Sequence, residues 1–163
     1  MNLPRRPKGV VFDLDGTLID SEALVREAHF AAIGQFGLSM SEAQFLALVG
    51  NHREANDAQL LSYYGADFPL DCFIKATRAY VGERAAPLKA GVLELMGALD
   101  EARTPFALAT SSRRPWVERH FNAHRLGARF HNVVTRDDVV NGKPDPEPYL
   151  KASAALGLAP MDV

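Results

Sequence analysis

The chain has 163 residues, of which 47% are hydrophobic and 23% charged, with a formal net charge of −2. That composition suits one globular domain with room for a small inserted module, and it excludes an intrinsically disordered chain. It also argues against nucleic acid and membrane as partners, because there is no extended basic run and no segment near the ~20 apolar residues of a membrane span. Cys72 is the only cysteine, so neither an internal disulfide nor a cysteine zinc site is expected, and a cytoplasmic setting is the default. The opening MNLPRRPKG is basic, but no apolar stretch of signal-peptide type follows it.

Val10 to Leu14 is a short apolar run, the pattern of a strand buried on both faces. A helix is predicted from Ser21 to about Phe36, with Leu24, Ala28, Ala31 and Ala32 on one face and Gly37 as the stop. Ser41 and Gln44 fit a capping box for a helix that Gly50 closes. Asn51 is the expected cap of the next helix and Gly65 its end, and a further helix is predicted from about Leu70 to Val81. Residues 21–82 therefore read as helices without a strand. AGVLELMGALDEA is then an amphipathic helix, TPFALATSS a second buried strand, Ser112 to Phe121 a helix, and FHNVVT a third strand. GKPDPEPYLKASAALG is a loop and then a helix, with Asp145 as cap, Pro146 in the first turn and Gly157 at the end. Strands alternating with helices predict an α/β fold with a parallel sheet, and the helical block after the first strand reads as an insertion.

In such a sheet, functional groups collect at the carboxyl ends of the strands. Strand one ends in Asp13 and Asp15, strand two in Thr110, Ser111 and Ser112, and the loop before the last helix holds Lys143. This set points to phosphoryl transfer. One carboxylate attacks phosphorus to form an aspartyl-phosphate, and a second protonates the leaving oxygen and later activates water. Two acids this close repel, and a divalent cation, a lysine or both relieve that repulsion. Magnesium fits an all-oxygen site that also touches phosphate. Thr110, with Ser111 and nearby backbone N–H groups, can hold phosphoryl oxygens, and Lys143 is a point charge suited to phosphate and Asp13 alike.

DLDGTLID, ALATSS and GKPDPEPY, in that order, resemble the first three motifs of the haloacid dehalogenase-like hydrolase superfamily. The resemblance implies a Rossmann-like core at residues 1–19 and 86–163 with a helical cap at 20–85. It implies Asp13 as nucleophile, Asp15 as general acid/base, and Thr110, Ser111 and Lys143 around the phosphate. It also implies magnesium on the Asp13 carboxylate and the Asp15 backbone carbonyl. Asp15 favours phosphatases or phosphomutases over true dehalogenases, which lack that acid, and the implied substrate is a small phosphorylated metabolite. The family's fourth motif, an acidic pair that completes the magnesium shell, has no counterpart before Val163, and Asp162 precedes the place where its strand would lie. A truncated core is therefore expected, with weak magnesium binding, little turnover, and strand one as an open edge available for self-association.

Other residues carry plainer expectations. Ser112 reads as a helix N-cap, and Trp116 and Phe121 as core residues of the helix after strand two. Cys72 reads as a buried or half-buried apolar side chain. Arg113 and Arg114 fit either the phosphate entrance or a solvated face. Arg53 stands where some relatives place a substrate-contacting residue and is carried as a substrate-binding candidate beside the reading of a surface arginine. His52 reads as a helix-start residue and His29 as structural. Val25 occupies the position of a histidine in beta-phosphoglucomutases, which weakens a mutase reading. The rivals from other classes are a non-catalytic phosphate-binding module and a signalling receiver domain. Receivers carry no helical block after strand one.

Overall fold

The computed structural model describes residues 7–163, so the basic opening MNLPRR lies outside the described residues. These residues divide into two compact units, one running up to Ser21 and again over Ala86–Val163, the other Glu22–Ala85.

The first unit is built on a parallel sheet in the order β1 (Val10–Phe12), β2 (Phe106–Ala109), β3 (Val133–Val134). Its register pairs Phe12 with Leu108 and Leu108 with Val133. β2 is central and buried at every position, and its alternation sets the two layers. Ala107 and Ala109 face Val134, Val139 and Ala152, small side chains that let a helix pack close. On the other face Phe106 joins an aromatic cluster, its ring 5.9 Å from Phe12 and 5.0 Å from Phe130 in edge-on contacts. Such contacts add about 0.5–1.5 kcal/mol each beyond burial. The helices of this unit, the fifth to seventh of the chain, are α5 (Val92–Glu101), α6 (Arg114–His124) and α7 (Glu147–Ala155). β1 is outermost in the sheet, so Val10 and Val11 are only half-buried, which corrects the expectation of a run buried on both faces.

Directly after β1 the chain folds back. The Leu14 carbonyl accepts from the N–H groups of Leu18 (2.9 Å) and Ile19 (3.1 Å), and the Gly16 N–H donates to the Ile19 carbonyl (2.9 Å). Gly16 sits at φ +72°, a left-handed conformation that suits glycine. Leu14 is fully buried while Asp13 and Asp15 on either side stay partly exposed. The turn thus anchors an apolar side chain and leaves both acids accessible.

The second unit is helical: α1 (Ser21–Gly34), α2 (Glu42–Leu46), α3 (Arg53–Tyr64) and α4 (Leu70–Glu83). Its core gathers Ala32, Ile33, Leu48, Leu60, Phe68 and Phe73. Ile33 rather than Ala31 completes the buried face of α1. The Ser41–Gln44 capping box forms with both hydrogen bonds. α2 stays short, however, because the Leu48 and Val49 N–H groups bond three residues back rather than four. Gly50 therefore ends a series of turns, not a helix. Asn51 is not the next cap either. Its side chain donates back to the Ala47 carbonyl (2.7 Å), and His52 Nδ1 accepts the Ala55 N–H (3.3 Å) in its place. Gly65 does terminate α3. Cys72 is exposed, against expectation. The helical rotation that buries Phe73 turns its predecessor outward. Among the described residues no helix is long and apolar enough to cross a membrane.

Candidate active site

The carboxyl ends of β1 and β2 and the loop before α7 converge, and a lysine meets a carboxylate there. Lys143 Nζ donates to Asp13 Oδ1 at 2.8 Å, with Lys143 more enclosed than its partner (side-chain exposures 19% and 37%). Burial acts against the ammonium charge, but hydrogen bonds to Asp13 and Tyr149 outweigh it and raise the Lys143 pKa above its ordinary value. The ammonium also lies 4.8 Å from the Tyr149 ring centre, over its face. Its loop is held by Glu147, whose carboxylate accepts the N–H groups of Val140 (3.0 Å) and Asn141 (2.8 Å) and pairs with Lys151 (2.9 Å). The Asn141 N–H and then Lys151 push the Glu147 pKa down to about 2. The N-cap of α7 is Pro146, without a side-chain cap bond, rather than the expected Asp145, which lies one residue earlier and accepts the Glu147 N–H (2.9 Å).

Asp15 is gripped at both oxygens. Oδ2 accepts from the Ser112 hydroxyl at 2.5 Å and Oδ1 from the Trp116 indole N–H at 3.1 Å. The Ser112 N–H in turn donates to Thr110 Oγ1 (3.0 Å). Thr110 is buried at the end of β2, its N–H on the Val134 carbonyl (2.9 Å), and Ser111 is exposed beside it.

Two sequence expectations are corrected here. The N-cap of α6 is Arg113, without a side-chain cap bond, so Ser112 is spent on Asp15 rather than on the helix. Trp116 is half-buried at the site, not in the core, whereas Phe121 is buried as expected. A half-buried tryptophan in the first turn of the helix after strand two is itself a signal, since a buried indole N–H needs an acceptor. Arg114 is committed to Asp138 (2.7 Å) and is not a bare cation at a phosphate entrance. Asp162 pairs with Lys8 at 3.2 Å.

Behind the site, His120 is fully buried. Its Nε2 accepts the Ala86 N–H (2.9 Å) and its Nδ1–H donates to the Trp116 carbonyl (2.8 Å), a pairing that only the neutral ring can make. His124 Nε2 donates to the Ala86 carbonyl (2.7 Å). Burial holds the His120 pKa below its ordinary value, against the raising effects of the Trp116 carbonyl and the Asp15 charge. A histidine depressed on folding leaves stability intact above its unfolded pKa. Below about pH 6.5 stability declines, because the unfolded chain takes up a proton that the folded one refuses. Thermal melts across pH 5–7 are expected to show this decline, and His120→Asn to flatten it in part. His29 in the second unit, also depressed by burial, keeps the remainder.

Arg53 belongs to the second unit, where its Nε pairs with Asp57 at 3.4 Å. A cavity of about 320 Å³ there is lined by His29, Asn51, Arg53, Asn56 and Arg78 among others. Asn56 Oδ1 is buried without a hydrogen-bond partner among the described residues. His29 donates from Nδ1 to the Val25 carbonyl (2.8 Å) and stacks edge-on between Phe45 and Phe73, the structural role expected of it.

The sequence profile described as haloacid dehalogenase-like hydrolase matches residues 10–163. The chain belongs to the haloacid dehalogenase-like hydrolase family. Within it, the chain is 32% identical over 155 residues to the validoxylamine A 7'-phosphate phosphatase of Streptomyces hygroscopicus subsp. limoneus, covering 94% of this chain and 73% of that one. It is 28% identical over 180 residues to the phosphoglycolate phosphatase of Escherichia coli (strain K12), covering 96% and 71%. Among solved structures, a candidate beta-phosphoglucomutase from Thermotoga maritima aligns with TM-score 0.77 and 27% identity over 93% of this chain and 71% of that one. A family hydrolase from Deinococcus radiodurans R1 with bound phosphate and sodium gives TM-score 0.75 and 25% identity over 95% and 69%. The α/β fold with a parallel sheet and the phosphatase-type hydrolase class read from the sequence both agree with these relatives.

Proposed function

We propose that this haloacid dehalogenase-like hydrolase cleaves phosphate esters of small metabolites through a phosphorylated Asp13. The observation that carries the reading is the Lys143 ammonium on Asp13 with Asp15 fixed two residues further on by two donors. An Asp13 oxygen attacks phosphorus as the ester P–O bond breaks, and Asp15 gives its proton to the departing oxygen. Asp15 then takes a proton from water as that water attacks phosphorus, which breaks the Asp13–phosphorus bond and frees phosphate. Lys143 offsets the charge gathered around the phosphoryl group, and Thr110, Ser111 and backbone N–H groups are the proposed holders of its oxygens.

The donor set bears on the metal. No group of three or more His, Cys, Asp or Glu side chains able to hold an ion occurs among the described residues. The Asp13 carboxylate and the Asp15 carbonyl are all-oxygen donors that suit a magnesium ion drawing the rest of its shell from substrate phosphate and water. Bound there, magnesium would neutralise phosphate charge.

The helical unit is read as the cap, with the Arg53 cavity as the part that selects substrate. The Asn56 oxygen, an acceptor, favours a hydroxyl on the ligand and Arg78 an anionic group, while Arg53 is shared with Asp57 on the same lining. The outer position of β1 supports self-association by strand pairing. Phosphate release from p-nitrophenyl phosphate and a panel of metabolite esters tests the proposal. Release is expected with magnesium and is lost on chelation. No release at any magnesium level contradicts it. The alternative of a mutase finds support in the Thermotoga maritima neighbour, and phosphate passed to a sugar rather than to water would establish it. Val25, in place of the mutase histidine, speaks against it.

A further inference from the structure

α6 presents Trp116, His120 and His124 at intervals of four residues, one stripe of the helix. The stripe joins two places in the first unit. Its lower two members hold the N–H and carbonyl of Ala86, and its upper member reaches Asp15. The Trp116 and His120 rings lie 4.2 Å apart between centres, so the indole is backed by a buried imidazole whose own bonds are both satisfied.

The two donors on Asp15 differ in kind. An indole N–H only donates, whereas a hydroxyl donates or accepts by rotating. An oxygen facing Trp116 therefore has a hydrogen directed at it whichever way the Ser112 hydroxyl turns. The oxygen facing Ser112 is held by a partner that can rotate away.

We infer that Trp116 is a positioning residue for Asp15, fixing the carboxylate plane through Oδ1 while Ser112 holds Oδ2. This rests on the reading of Asp15 as acid/base. The role of Trp116 is through Asp15, with the His120 ring packed against the indole.

Trp116→Phe keeps an aromatic ring and removes the donor. Its kcat on p-nitrophenyl phosphate with magnesium is expected to fall about 10–100-fold, the scale of a displaced catalytic group. KM should fall along with kcat, because on this ester only hydrolysis of the phosphoryl-aspartate needs Asp15 and the covalent form accumulates when that step slows. Trp116 is the sole tryptophan, so the intact protein has one indole N–H resonance. Asp15→Asn, which replaces a charged acceptor with a neutral one, is expected to move that resonance upfield. A Trp116→Phe protein with kcat close to the parent overturns the inference, and so does an indole resonance indifferent to Asp15→Asn. If Trp116→Phe does not fold, the indole resonance decides alone. Absence of turnover by the unaltered chain strikes the functional reading of the site, whereas an unmoved indole signal strikes the positioning role only.

Discussion

Asp13→Asn is expected to remove turnover of phosphate esters, with kcat lower by about 10⁴-fold or more, the scale of losing a covalent nucleophile. The amide is nearly the same shape as the carboxylate but a poor nucleophile. It also leaves the half-enclosed Lys143 with a neutral partner in place of its counter-charge. Asp13 is partly exposed and lies past the last ladder residue of β1, so the sheet register of Val10 on Phe106 and Phe12 on Leu108 does not depend on it. Circular dichroism and melting should therefore stay near those of the parent while phosphate release disappears. Turnover close to the parent would remove Asp13 from the chemistry and the covalent route with it.

Asp15→Asn is expected to separate the two half-reactions. p-Nitrophenolate leaves without needing a proton, so attack by Asp13 is spared while hydrolysis of the phosphoryl-aspartate loses its base. Rapid mixing should give a burst of about one equivalent of nitrophenolate, and then a steady rate about 10²–10⁴-fold below the parent. An alkyl phosphate, whose leaving oxygen must be protonated, should show no burst. The fold tolerates the change, since Asn can still accept from Trp116 and donate to a rotated Ser112 hydroxyl. Equal losses on both esters, with no burst, would contradict the double role of Asp15.

Much of this site was legible because its parts lie at ends of short apolar strands. Val10–Phe12 and Phe106–Ala109 are short apolar runs, and in a parallel sheet the residues just past the carboxyl end of such a run are where sites form. Lys143 was legible from its place in the loop before the last helix, although its partner is 130 residues away in the chain. Local rules failed where tertiary partners outbid them. Ser112 has the sequence position of a cap, yet Asp15, 97 residues earlier, takes its hydroxyl. Trp116 has the look of a core residue, yet its N–H finds the same acid. The spacing of Trp116, His120 and His124 was visible, but the peptide that the stripe holds, at Ala86, is set by chain return and not by any local pattern. In the helical unit, Asn51 and His52 compete for one cap, and the Ala47 carbonyl decides between them by engaging Asn51. The helical character of residues 21–83 was legible from the absence of strand patterning; its role as a cap is carried by resemblance.

The most direct measurement is acid quenching of the protein during turnover of a labelled phosphate ester with magnesium, and peptide mapping of the quenched protein. One phosphoryl group on the peptide containing Asp13, absent from Asp13→Asn and accumulating in Asp15→Asn, is the predicted result. Phosphate release without any labelled peptide, or with the label on another residue, would contradict the account.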